Sequence, residues 1–177
     1  MFASIIIFLV TITLGCMEKE KPSKEILVNT VFEPFGYIPK KYTCDADDVS
    51  PPLILSEIPN STKSLVIICE DIDAPGGKFI HWIAWNIEPT LEIPENIPKK
   101  DIVYFPIKMN QGKNDFGKIG YNGPCPPPGK PHRYIFNIYA LDIKLEGRFD
   151  ESSLRRAIEN HIIGYGKIVG LYCREVS

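Results

Sequence analysis

The sequence is short of the features that announce the common biochemical classes. No apolar run reaches the roughly twenty residues needed to cross a bilayer as a helix, so no membrane-spanning helix is signalled. There is no basic excess: 20 Lys plus Arg stand against 22 Asp plus Glu, without a basic run or a recognition helix, which argues against nucleic acid as a partner. Only three histidines occur, and no two share the spacing of a metal motif, so no metal or other cofactor is expected. A Gly-x-Ser-x-Gly elbow and a glycine-rich loop opening a helix are both absent, which weighs against hydrolase and nucleotide chemistry. Internal repeats are missing, and the one biased segment is a proline-rich loop. What is present is 177 residues, 44% hydrophobic and 11% aromatic, enough for one globular domain with a real core.

The N-terminus differs in character from the rest. Residues 5–14 are an apolar run of the size found in signal peptides, ending in Leu14-Gly15-Cys16. A small residue before a cysteine resembles the lipobox of lipoprotein signal peptides, although Thr13 and Leu14 stand where that motif usually has Leu and a small residue, and the start lacks Lys or Arg. Residues 1–15 are therefore read as a signal peptide with a lipobox-like end and Cys16 as the lipidated residue; an uncleaved anchor and a plain secretory signal are the alternatives. Residues 16–25 have too little apolar surface to fold alone and read as a polar tether. This arrangement would hold a single domain, residues 26–177, at the outer face of the cell membrane.

Beyond the tether the pattern is mostly β. Residues 26–32, 64–71, 78–87, 133–141 and 168–173 are rich in β-branched and aromatic residues, and the segments between them are full of Pro, Gly, Asn and Asp, a spacing that predicts a sandwich. Residues 65–69 are apolar at every position, as in a central strand buried on both faces. One helix is signalled: Asp150 can cap a segment whose Leu154, Ala157, Ile158, His161 and Ile162 share a helical face, with Gly164 to end it. On that face His161 reads as a satisfied core histidine.

Four stretches carry the chemistry. Residues 71–77, Asp-Ile-Asp-Ala-Pro-Gly-Gly, put two carboxylates at the end of the buried strand. His81 sits inside an apolar strand, next to Trp82 on the expected opposite face, and must be hydrogen-bonded or serve a site. Residues 42–53 form an acid- and hydroxyl-rich loop. Residues 120–136 begin as a stiff Gly/Pro loop and turn into a strand, which delivers His132, Arg133 and Tyr134 to the strand's lip.

Those motifs, Asp-x-Asp-Ala-Pro at 71–75, His-Trp and Asn at 81, 82 and 86, Gly-Tyr-x-Gly-Pro at 120–124 and His-Arg-Tyr at 132–134, resemble the phosphatidylethanolamine-binding protein family, which includes the Raf kinase inhibitor protein, and its prokaryotic branch in particular. The resemblance covers nearly everything from Ile26 to Val176. It implies two packed antiparallel sheets with a C-terminal helix and few peripheral helices, and one small pocket for phosphate, a phosphorylated head group or another anion. The implied lining is Asp71, His81, Gly123, Pro127, His132 and Tyr134, with Asp73 in an orienting role and Cys125 in the pocket loop. Imidazoles, phenol and loop N–H groups can donate to phosphate oxygens, so binding is expected to strengthen toward pH ~6, with Asp71 charging and orienting a histidine. The function implied is non-enzymatic binding of a small anionic or phosphorylated ligand. The alternatives are inhibition of a peptidase or kinase through loops around the pocket and, behind it, hydrolysis through His81, His132 and Asp71. With Cys16 lipidated, four cysteines allow three full connectivities. Cys44 and Cys125, in two loops expected at the pocket, are the pair expected to bridge if any does, and Cys69 is expected to be a free core thiol.

Overall fold

A computed structural model describes residues 24–175; the expected signal peptide, Cys16 and most of the tether lie outside the described residues. Among the described residues nine strands form two antiparallel sheets. The smaller runs β1 (Val28–Asn29), β2 (Leu53–Leu55) and β5 (Glu92–Ile93) in the order β1-β2-β5. The larger joins β3 (Ser64–Asp71), β4 (Phe79–Ile87), β6 (Ile102–Val103), β7 (Met109–Gln111), β8 (His132–Leu141) and β9 (Ile162–Tyr172) in the order β6-β7-β4-β3-β8-β9.

β3 explains the layering. All eight of its residues are buried, because both faces of the large sheet are covered. Leu65, Ile67 and Cys69 enter one apolar cluster with Val28, Leu53 and Ile93 of the small sheet, while Val66 and Ile68 enter a second with Leu154 and Ile158 of α1 (Glu151–Ile158). Period-two alternation on a strand apolar throughout thus feeds two cores. The helix starts as expected: Asp150 accepts from Ser153 N, and the Ser153 side chain closes a capping box. Arg155 then ties it to the sheet through Glu70 at 2.8 Å, and pairs within the helix with Glu151.

The helix ends sooner than its sequence suggests. Ile162 already opens β9, and Gly164 pairs with Ala140 inside the sheet rather than terminating the helix. Ladder pairing with β8 outcompetes the helical periodicity, and His161, left in the connection, is partly exposed beside Asp142 at 3.0 Å rather than in the core. The strand expected over 26–32 narrows to β1, and the last strand lengthens backwards to Ile162.

The folded domain begins ahead of Ile26. Lys24 O accepts from Tyr165 N and Tyr165 O accepts from Ile26 N, so Lys24 and Glu25 belong to the domain. The chain then follows β9 as far as Ile38, which donates to Leu171 O at 2.8 Å. The close approach needs a glycine: a Cβ on Gly166 would lie 2.0 Å from Ile26 O.

Candidate ligand-binding site

The ends of three strands meet at one edge of the inter-sheet core. β3 and β8 pair in register until Asp71 faces Tyr134, and His132 starts β8 just beyond. β4 arrives with a bulge: Cys69 opposes Trp82 and Glu70 opposes Ile80, which leaves His81 as the extra residue. A bulge re-aims side chains. His81 consequently contacts Tyr134 while Trp82 enters the same inter-sheet cluster as Tyr134, so His81 and Trp82 do not take the opposite faces that simple alternation predicts. Between these ends lies a cavity of about 240 Å³.

Asp71, His81, Cys125, Pro127, His132 and Tyr134 all line it. Gly123 does not: its N–H donates to Asp48 Oδ1 at 2.6 Å, and a Cβ there would fall 2.1 Å from Tyr42 O, so this glycine serves the packing of two loops. Asp73 stands outside as well. Its carboxylate accepts from Arg133 N, Nε and Nη2, and those bonds to Arg133 hold its pKa down to about 2, a clamp between the β3–β4 turn and the start of β8.

The two histidines differ in their partners. His132 Nδ1 lies 2.7 Å from Asp71 Oδ2, and Asp71 Oδ1 accepts from Asp73 N. The carboxylate fixes Nδ1 as the protonated nitrogen and leaves Nε2 for a ligand. His81 Nδ1 lies 2.7 Å from Asn122 O, and a carbonyl can only accept, so Nδ1 carries the proton here too. Phe79, Phe116 and Tyr134 stand edge-on to the His81 ring at 5.4, 5.3 and 5.1 Å. Burial among these rings lowers the His81 pKa, against the opposing pull of the Asn122 carbonyl and Asp71. The Tyr134 hydroxyl is buried without a hydrogen-bond partner among the described residues, and burial, then the charge of Asp71, pushes its pKa up.

The proline-rich loop is less generous than its position suggests. Pro124 and residues 126–128 carry no N–H, and that of Gly123 is taken by Asp48, so Cys125 holds the remaining donor of this stretch. A disulfide joins Cys125 to Cys44 with Cα atoms 5.4 Å apart, reinforced by the bond from Cys44 N to Pro124 O. Cys69 and Cys173 are free. Sequence reasoning missed the apolar wall of Ala74, Pro75, Phe79, Phe116 and Pro126. It also missed Asn114, whose Nδ2 donates to Gly120 O and Asn122 Oδ1 and whose Oδ1 accepts from Phe116 N, so that it fixes the loop carrying Phe116. The signal available was an Asn in a loop already rich in turn formers, which marks a turn but not its direction.

Comparison with known proteins agrees with this arrangement. The family model for phosphatidylethanolamine-binding proteins matches residues 28–173. The chain is 57% identical over 169 residues to a UPF0098 protein of Archaeoglobus fulgidus, covering 96% of this chain and 58% of that relative, so it spans little more than half of the relative's length. It is 49% identical over 170 residues to a UPF0098 protein of Pyrococcus horikoshii, covering 94% and 86% respectively. Among solved structures it is similar to a phosphatidylethanolamine-binding protein homologue of Chlamydia trachomatis, with 36% identity, TM-score 0.76 and coverage of 86% of this chain and 100% of that one. It is also similar to YbcL of E. coli, described as a new member of the mammalian family, with 28% identity, TM-score 0.75 and coverage of 86% and 99%. By family model, sequence and structure, the chain belongs to the phosphatidylethanolamine-binding protein family.

Proposed function

We propose that the protein is a non-enzymatic binding protein whose cavity takes a small anionic group, phosphate or a phosphorylated head group. The observation that carries the reading is the His132–Asp71 pair at the cavity wall, 2.7 Å apart. Once the ring is an imidazolium, Asp71 neutralises it through Nδ1–H while Nε2–H donates to a ligand oxygen. His81, kept neutral by burial, offers Nε2 as an acceptor to a protonated ligand oxygen. Binding rather than turnover is favoured because the phenol, held protonated by its raised pKa, is not available as a base, and because His81 leans on a carbonyl rather than a carboxylate. The reading includes export and lipidation at Cys16, with which a Cys44–Cys125 disulfide is consistent.

Calorimetric titration with phosphate and phosphoethanolamine at pH ~6 and ~8 tests the reading. Saturable binding, weaker at the higher pH, is expected in the wild type. It should be lost in His132→Ala and lose its pH dependence in Asp71→Asn. Absence of binding at both pH values would overturn it and direct attention to protein targets. In the same strain, retention of the wild type but not Cys16→Ser in the membrane fraction is the outcome expected of the lipid anchor.

A further inference from the structure

No residue of the acid-rich loop, 42–53, lines the cavity, yet one of its carboxylates reaches His81 through a single peptide group. His81 Nδ1–H donates to Asn122 O at 2.7 Å, and the N–H of that same peptide unit, belonging to Gly123, donates to Asp48 Oδ1 at 2.6 Å. The carbonyl and the N–H are two ends of one conjugated group, so a bond at either end polarises the other. The bond to Asp48 is charge-assisted, which makes the Asn122 carbonyl a stronger acceptor for the imidazole.

The surrounding bonds fix this unit. Asn122 N donates to His81 O at 3.0 Å, so the Asn122 main chain grips both the backbone and the ring of His81. Its side chain is held in turn: Nδ2 donates to Asp48 Oδ2 at 2.8 Å, and Oδ1 accepts from Asn114 Nδ2 at 2.9 Å. Lys99 Nζ, 2.6 Å from Asp48 Oδ2, offsets the charge of the carboxylate. Asp48 itself has a φ of 55°, in the left-handed region that residues other than glycine seldom adopt and that recurs at functional sites. Joining the two loops does not require Asp48. The Cys44–Cys125 disulfide, Cys44 N on Pro124 O and Tyr121 OH on Tyr42 O already do so. An imidazole free in water prefers its proton on Nε2, so the Nδ1–H form of His81 is one that its surroundings impose.

We propose that Asp48 is a positioning residue for His81: acting through the Asn122–Gly123 peptide, its carboxylate holds the ring proton on Nδ1 and leaves Nε2 unprotonated. The consequence for a ligand, an acceptor at Nε2, rests on the binding function proposed above. The tautomer itself does not.

Long-range nitrogen-proton correlation on the full ¹⁵N-labelled chain reports the tautomer of each of its three histidines. His81 should show the Nδ1–H form in the wild type and move to the Nε2–H form in Asp48→Asn, while the His132 pattern stays put. Tyr121→Phe loosens the same loop contact without touching Asp48, and should leave His81 as in the wild type. A His81 that keeps Nδ1–H in Asp48→Asn, or loses it in Tyr121→Phe as well, would overturn the assignment. By calorimetry, inorganic phosphate should bind about fivefold more weakly to Asp48→Asn. Unchanged phosphate affinity beside a switched tautomer would count against the ligand role of His81 and support the positioning role of Asp48. If Asp48→Asn does not fold, the wild type decides. Scalar couplings are expected across both hydrogen bonds, from His81 Nδ1 to the Asn122 carbonyl carbon and from Gly123 N to the Asp48 carboxyl carbon, and absence of either overturns the relay.

Discussion

His81 and His132 border one cavity in opposite electrostatic situations: one has a carboxylate against its ring, the other a carbonyl and three aromatic edges. Charge is therefore resisted at His81. Because folding lowers the His81 pKa, the unfolded chain takes up this proton more readily than the folded one. The stability tied to a neutral His81 is complete above the unfolded value of about 6.5 and is lost as the pH falls from there toward the folded value. Urea unfolding should show the gap in stability between wild type and His81→Asn narrowing as the pH drops from about 7 to about 5. A gap that stays constant would show that His81 does not titrate in that window.

Legibility from sequence varies with the element. β3, β4 and β8 are long, apolar and bounded by turn residues, so their positions could be read to within a residue or so. The chemistry-bearing side chains stood at their ends, and the family motifs grouped them. β1, β2 and β5 are two or three residues long, too short for periodicity to register. β9 contains Gly164, Gly166 and Gly170, which disfavour strand on propensity alone, and its first turn reads as the tail of a helix. Those glycines answer to tertiary packing, since Ile26 lies against Gly164 and Gly166, and Phe32 and Ile38 against Gly170. The bulge at His81 and the apolar wall around Phe116 depend on register and loop direction, which no local pattern encodes. Gly166→Ala should accordingly cost about 1–3 kcal/mol in denaturant titration and raise hydrogen exchange at Ile26, whereas Gly76→Ala, with nothing within 4 Å of the added carbon, should stay within about 0.5 kcal/mol.

Across the whole molecule, long-range ties converge on the cavity between Asp71, His81 and His132. The disulfide closes a separation of 81 residues, Asp48 holds Gly123 and Asn122 at 2.6 and 2.8 Å, and Tyr121 OH donates to Tyr42 O at 2.7 Å. The cavity walls come from segments between residues 71 and 134, so pocket and fold form together. The rims of the large sheet are treated unequally. At one rim β6 is only two residues long, whereas at the other β9 runs for 11 residues and would be an open template were it bare. Residues 24–38 lie along it, bridging Glu25 to Tyr165 and Tyr37 to Leu171. The stretch that leads into the domain is thus also its guard against polymerisation. A chain clipped beyond Ile38 would present β9 to its neighbours and self-associate, with light scattering that rises with concentration, while the intact chain stays monodisperse.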